Sequence, residues 1–172
     1  MRLKTTALAL LVVLGSGAAP AQAEFKRIEL KILGMDCAIC AHGIRVAVQK
    51  MEGVDSVQIS LERAQADVRL RPENRVVLDD FRRIVKANGF EPREAVVTVV
   101  GSAREAQGKL QLDVAGTAQS LVVSAKSDAG AHQQLKAAGA PGATAVLEVV
   151  GVVEKASDGS ESITATAVKR LR

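Results

Sequence analysis

Cys37 and Cys40 are the only cysteines in this 172-residue chain, separated by two residues in Gly34-Met35-Asp36-Cys37-Ala38-Ile39-Cys40. Two thiolates on one short loop bind a soft d¹⁰ ion such as Cu(I), Hg(II) or Zn(II). Zn(II) prefers four ligands and is least satisfied by two. A disulfide is the other use of the pair. It would close a very small loop and staple nothing distant, so it gains little from chain entropy. A pair this local therefore reads as reactive or metal-binding. His42 comes two residues after Cys40, about 200° round a helix, and is not read as a ligand. Ala41 follows Cys40, which excludes the C-x-x-C-H haem attachment pattern. His132 stands alone and receives no role.

The elements that must position the two sulfurs are legible around them. Ile28, Leu30 and Ile32 alternate with Glu29 and Lys31, which predicts a half-buried strand leading into the loop. Ile44, Ala47, Val48 and Met51 then fall on one helical face, and Gly53 stops that helix. Val57, Ile59 and Leu61 alternate, as do Ala66, Val68 and Leu70. With Glu62-Arg63-Ala64 between them they predict an antiparallel hairpin. Leu78, Phe81, Ile84 and Val85 mark a second helix, with Asp79 and Asp80 in its first turn and Gly89 as its C-cap. A last short strand is expected from Phe90. The order β-α-β-β-α-β over residues 24–94 is that of an α+β, ferredoxin-like sandwich, four strands with two helices on one face.

Residues 95–172 change character: helical signals fade, and Val, Ala, Gly, Ser and Thr dominate. Strands are expected at Val96–Ala103, Lys109–Val114, Leu121–Ser124, Ala145–Glu154 and Ile163–Leu171. Turns are expected at Gln107-Gly108, Ala115-Gly116 and Ser157-Asp158-Gly159. A short helix is expected over Ala131–Ala138. Five strands with a helix after the third predict a small, mostly-β domain resembling an OB-fold barrel. No linker separates the halves near Arg93–Ala95, so they either pack closely or share a strand.

The chain opens with Arg2 and Lys4, an apolar run from Ala7 to Leu14, and Ala21-Gln22-Ala23. This is the pattern of a secretory signal peptide over residues 1–23, cut between Ala23 and Glu24, and it predicts a periplasmic or secreted protein. The apolar run is well short of the ~20 residues a spanning helix needs, so no stable membrane anchor is expected. Loss of Arg2 and Lys4 lowers the net charge from +4 to +2. That mild basicity, with no Trp, no Tyr and only three Phe, disfavours nucleic acid. Arg45, Lys50, Arg82, Arg83 and Lys86 are read as solvated basic helix faces in preference to a docking surface. No nucleophile–base constellation is visible, so no enzyme is expected.

Gly34-Met35-Asp36-Cys37-Ala38-Ile39-Cys40, placed within βαββαβ and followed by Gly89-Phe90 after the second helix, resembles the GMxCxxC loop of the heavy-metal-associated domain. That family includes copper chaperones, amino-terminal domains of copper-transporting P-type ATPases and periplasmic mercury-binding proteins. The resemblance implies that Cys37 and Cys40 are the ligands, with Cys37 in the loop and Cys40 in the first helical turn. There the helix N-terminus favours thiolate over thiol. Gly34 turns the strand into the loop. Met35 is implied to point inward as a plug supporting the loop, and Phe90 to pack near the cysteines and shield them. Many eukaryotic copper chaperones carry Lys at the position of Phe90, so the chain departs from that pattern.

The expected function is capture and transfer of a soft metal ion, Cu(I) first, with Hg(II) or Zn(II) as other cargoes. The expected partner is a metal-donor or metal-acceptor protein such as a membrane metal transporter. Alternatives are a mercury-binding protein of a resistance system and a thiol–disulfide redox protein using Cys37 and Cys40. In a third reading the carboxy-terminal half is a docking platform.

Overall fold

Alternation and helical periodicity fix most of the elements. The computed structural model describes residues 24–114 and 116–171, so the signal-peptide reading of residues 1–23 and half of the Ala115-Gly116 turn lie outside the described residues. Strand β1 (Phe25–Leu33), helix α1 (Ala38–Gln49), β2 (Val54–Ser60), β3 (Gln65–Leu70), α2 (Leu78–Ala87) and β4 (Glu91–Ala106) form the first half. The sheet order β2-β3-β1-β4, with antiparallel neighbours throughout, is ferredoxin-like. Ile28, Leu30 and Ile32 of β1 and Ala66, Val68 and Leu70 of β3 are buried beneath Ile44 and Val48 of α1 and Phe81 and Val85 of α2. The opposite face is a charged ladder in which Arg27 bonds Asp67 and Gln65 bonds Glu29.

Two local expectations shift. Val54 and Val57, not Val57, Ile59 and Leu61, supply the buried side chains of β2, because a bulge between Val54 and Ser56 resets the alternation. Leu61 lies beyond the strand, in the turn, and is exposed. Helix α1 ends at Gln49, so Met51 packs from the turn that follows, where Gly53 has φ +87°.

The larger correction concerns β4. The short strand expected from Phe90 and the separate strand expected at Val96–Ala103 are one 16-residue strand. Its first part pairs with β1 on one edge, from Leu33↔Glu91 to Phe25↔Val99. Residues 95–101 pair at the other edge with β7 (Leu147–Lys155), and residues 102–106 pair with β5 (Lys109–Asp113). Strand β6 (Ser120–Val123), helix α3 (Ala129–Ala138) and β8 (Glu161–Arg170) complete the chain. The pairings β4–β5–β6–β8–β7–β4 close a ring, with β6 and β8 parallel and every other pair antiparallel.

Closure demands close backbone approach at two glycines. A Cβ on Gly101 would lie 2.4 Å from the Asp113 carbonyl oxygen, and one on Gly151 2.7 Å from that of Thr164. The Gln107-Gly108 turn joins β4 to β5 with both residues at positive φ, the geometry that suits a two-residue hairpin. Buried residues of both halves form a single apolar cluster that runs from Ile44 and Phe81 to Leu135 and Ile163.

Candidate metal-binding loop

The loop begins where β1 ends. Gly34 takes φ +83°, which allows the chain to leave the sheet without the steric cost an L-residue meets there. Met35 then turns inward and is only 3% exposed, within the apolar cluster. Asp36 is exposed. Cys37 has extended geometry (φ −121°, ψ 146°) and is the N-cap of α1. Its Sγ accepts the Cys40 amide at 3.1 Å, and its carbonyl accepts from Ala41 at 3.1 Å. Cys40 lies in the first turn. That turn contains no acidic residue, so the partial positive charge of the helix N-terminus acts on the sulfurs, with Asp36 the one carboxylate directly ahead of the cap.

Both cysteines are half-buried, and their Cα atoms are 5.2 Å apart. Their sulfurs are bonded to each other, contrary to the sequence preference against a disulfide. The bond spans a sequence separation of three and ties no distant elements, so it is a local redox state of the loop rather than a brace for the fold. Reduction frees two sulfurs on one turn. His42 is exposed, with Nδ1 3.2 Å from Arg45 Nη2, and His132 lies on α3 in the other half. Among the described residues no group of three or more His, Cys, Asp or Glu side chains converges. Once reduced, the pair offers two half-buried sulfurs as ligands.

Phe90 reaches the loop through α2. Asn88, not Gly89, is the C-cap, and Gly89 follows it at φ +85°. The Gly89 amide donates to Lys86 O (2.9 Å) and the Phe90 amide to Val85 O (3.2 Å), the paired bonds of a Schellman motif. This sets the direction of Phe90, whose half-buried ring has Cδ1 3.8 Å from where a Gly34 Cβ would stand.

Two features escaped the sequence reading. Ile39, between the cysteines, is 87% exposed; it precedes Ile44 by five positions, about 140° off the buried stripe of α1, which is the signal that was available. Arg82 is not on a solvated face. Its side chain is 7% exposed and paired with Glu161 of β8, whose own side chain is 10% exposed. No local pattern links residues so far apart. Arg83, by contrast, is exposed and paired with Asp80 on its own helix.

The heavy-metal-associated domain family matches residues 29–91. A copper-transporting ATPase of Oryza sativa subsp. japonica is 38% identical over 65 residues, 34% of this chain and 7% of that protein. A probable copper-exporting P-type ATPase of Archaeoglobus fulgidus is 31% identical over 61 residues, 36% of this chain and 8% of that protein. The chain thus spans less than a tenth of the length of these relatives. Among solved structures, a yeast copper transporter domain studied in apo and Cu(I)-loaded states is 27% identical. It covers 39% of this chain and 90% of its own, with a TM-score of 0.36. The match begins within β1, takes in both cysteines and ends at the first residue of β4: residues 29–91 are a heavy-metal-associated domain.

Proposed function

We propose that this protein captures Cu(I) through the thiolates of Cys37 and Cys40 and passes it to the thiolates of a partner, a metal donor or acceptor such as a membrane transporter. The observation that carries the reading is the pair of sulfurs at the N-cap and in the first turn of a helix, where no group of three or more His, Cys, Asp or Glu side chains converges among the described residues. Two thiolates satisfy a soft d¹⁰ ion in near-linear geometry and leave a flank open to an incoming sulfur. Ligand exchange, not catalysis, is the chemistry such a site supports. The two matched relatives are a copper-transporting and a probable copper-exporting ATPase, which supports copper over other cargoes. The leader-like residues 1–23 support a periplasmic or secreted location. The closed ring of β4 to β8, with α3 between the third and fourth strands of the ring, supports reading residues 95–172 as an OB-like barrel.

Capture requires the reduced pair. A dithiol reductant supplies two electrons and two protons, opens the Cys37–Cys40 bond and leaves as its own disulfide. That same bond favours the second reading, a thiol–disulfide redox protein, in which Cys37 and Cys40 shuttle electrons and carry no metal.

The deciding experiment titrates the reduced protein anaerobically with Cu(I) against a competing chelator, beside the Cys37→Ser/Cys40→Ser variant. One ion held per chain, and lost in the variant while circular dichroism is unchanged, supports the proposal. Equal competition by the folded variant sinks it. Cysteine-dependent binding of Hg(II) alone would transfer the assignment to mercury. Neither metal bound, together with rapid exchange against a dithiol redox buffer, would favour the redox reading.

A further inference from the structure

Helix α2 is tied to the two halves of the molecule at different points along its length. Near its N-terminus, Lys155 Nζ donates to both oxygens of Asp79 (2.7 and 2.6 Å). One turn further, Arg82 pairs with Glu161, while Gln119 donates to the other oxygen of the same carboxylate. Arg82 also lies 3.6 Å from Asp79. Lys155 ends β7, Glu161 begins β8, and Gln119 precedes β6, so all three anchors belong to the carboxy-terminal half. At the C-terminal end of α2 the Schellman motif directs Phe90 toward Gly34 and the cysteine loop.

A buried ion pair is a costly way to hold a helix, since both groups surrender hydration. What such a pair adds over an apolar contact is direction: Nη1 of Arg82 meets one oxygen of Glu161, Gln119 holds the other, and buried Nη2 has no partner among the described residues, so the register rests on a single charged contact. Removing one member leaves an uncompensated charge, which recovers water only if the helix moves. A helix of ten residues is a rigid rod about 15 Å long, so movement at Arg82 displaces its far end.

We infer that Arg82 is a positioning residue of the metal loop: its buried pair with Glu161 sets α2 so that Phe90 covers Gly34, and thereby limits how fast an outside thiol reaches Cys37 and Cys40. This rests on the metal-transfer reading for its purpose but not for its geometry, and the test separates the two. Reduced protein is treated with iodoacetamide and the alkylation rate of the cysteines is followed in wild type, Glu161→Gln, Phe90→Ala and the double variant. Cu(I) transfer to a chelator is timed in the same set.

Glu161→Gln is expected to raise the alkylation rate on the order of 5-fold, the scale of coupling carried by packed networks. The double variant is expected to match Phe90→Ala alone, since both act at one point. Asp79→Asn, which loosens the exposed Lys155 tie and the longer contact to Arg82, gives a smaller rise in the same direction and serves if Glu161→Gln does not fold. A rate in Glu161→Gln equal to wild type, or effects that multiply in the double variant, overturns the inference. A purely structural role would lower the melting temperature without that non-additivity. If alkylation follows the expected pattern while wild type binds no Cu(I), the positioning role stands and the metal reading falls.

Discussion

Cys37 both supplies a sulfur and caps a helix, and its variants separate these roles. Its Sγ accepts the Cys40 amide, so serine, a favoured N-cap residue, keeps a bond that alanine loses. Under reducing conditions Cys37→Ser is expected to match wild-type stability, whereas Cys37→Ala loses about 1 kcal/mol in chemical denaturation. Equal stability of the two variants would remove the capping role. Asp67 provides a pH handle. Its hydrogen bond from Arg27 Nε (2.8 Å), and then the Arg27 charge, hold its carboxyl below the usual range. A carboxyl depressed in the folded state contributes its stability above the unfolded value of about 4 and loses it as pH falls. Arg27 is well exposed, so the contribution is below about 1 kcal/mol. Melting temperatures measured from pH 7 to pH 2 are therefore expected to fall more steeply for wild type than for Asp67→Asn. At this scale the local geometry was open to reading: Cys37 is the N-cap, Cys40 lies in the first helical turn, Met35 turns inward and Phe90 packs beside Gly34, because loop spacing and the Gly89-Phe90 pair mark where a strand and a helix end. The sulfur–sulfur bond was not, because spacing alone does not determine a redox state.

Helices and strands were legible where one face is buried and the other wet. Periodicity marked α1, α2, β1 and β3 well because each presents a single apolar face to one core. It failed on β4, whose strand partners change along its length from β1 to β7 and β5, so a continuous strand read as two. The element boundaries rest on glycines of two kinds. Gly89 has open space around its Cα, so Gly89→Ala meets no neighbour and its cost is that of φ +85° alone, about 1 kcal/mol. Gly101 and Gly151 are the reverse: their backbones are ordinary, but a methyl would strike a carbonyl of the adjoining strand. Gly101→Ala is expected to cost about 3 kcal/mol in urea unfolding, the scale of overpacking where backbone must shift. Equal losses at Gly89 and Gly101 would show that closure of the strand ring does not depend on that close approach.

As a whole molecule, the two halves share a strand, a core and the ties on α2, and they are expected to unfold together. Thermal melts followed by far-ultraviolet dichroism and by calorimetry should coincide in one transition. Family boundaries mislead here. A chain ending at residue 94 lacks Val96, Val97, Thr98 and Val99, which pair with Glu29, Ile28, Arg27 and Phe25, and is expected not to fold. A chain ending at residue 101 keeps those pairs but bares the edge that β7 covers, and is expected to self-associate in sedimentation.

The shared strand also bears on survival among proteases. Limited digestion of two-domain proteins usually begins at an exposed hinge. Here the residues joining the halves are held by neighbours on both edges from Ala95 to Val99. A protease therefore finds no seam at which to release the cysteine-bearing half, and the two halves persist or are degraded together.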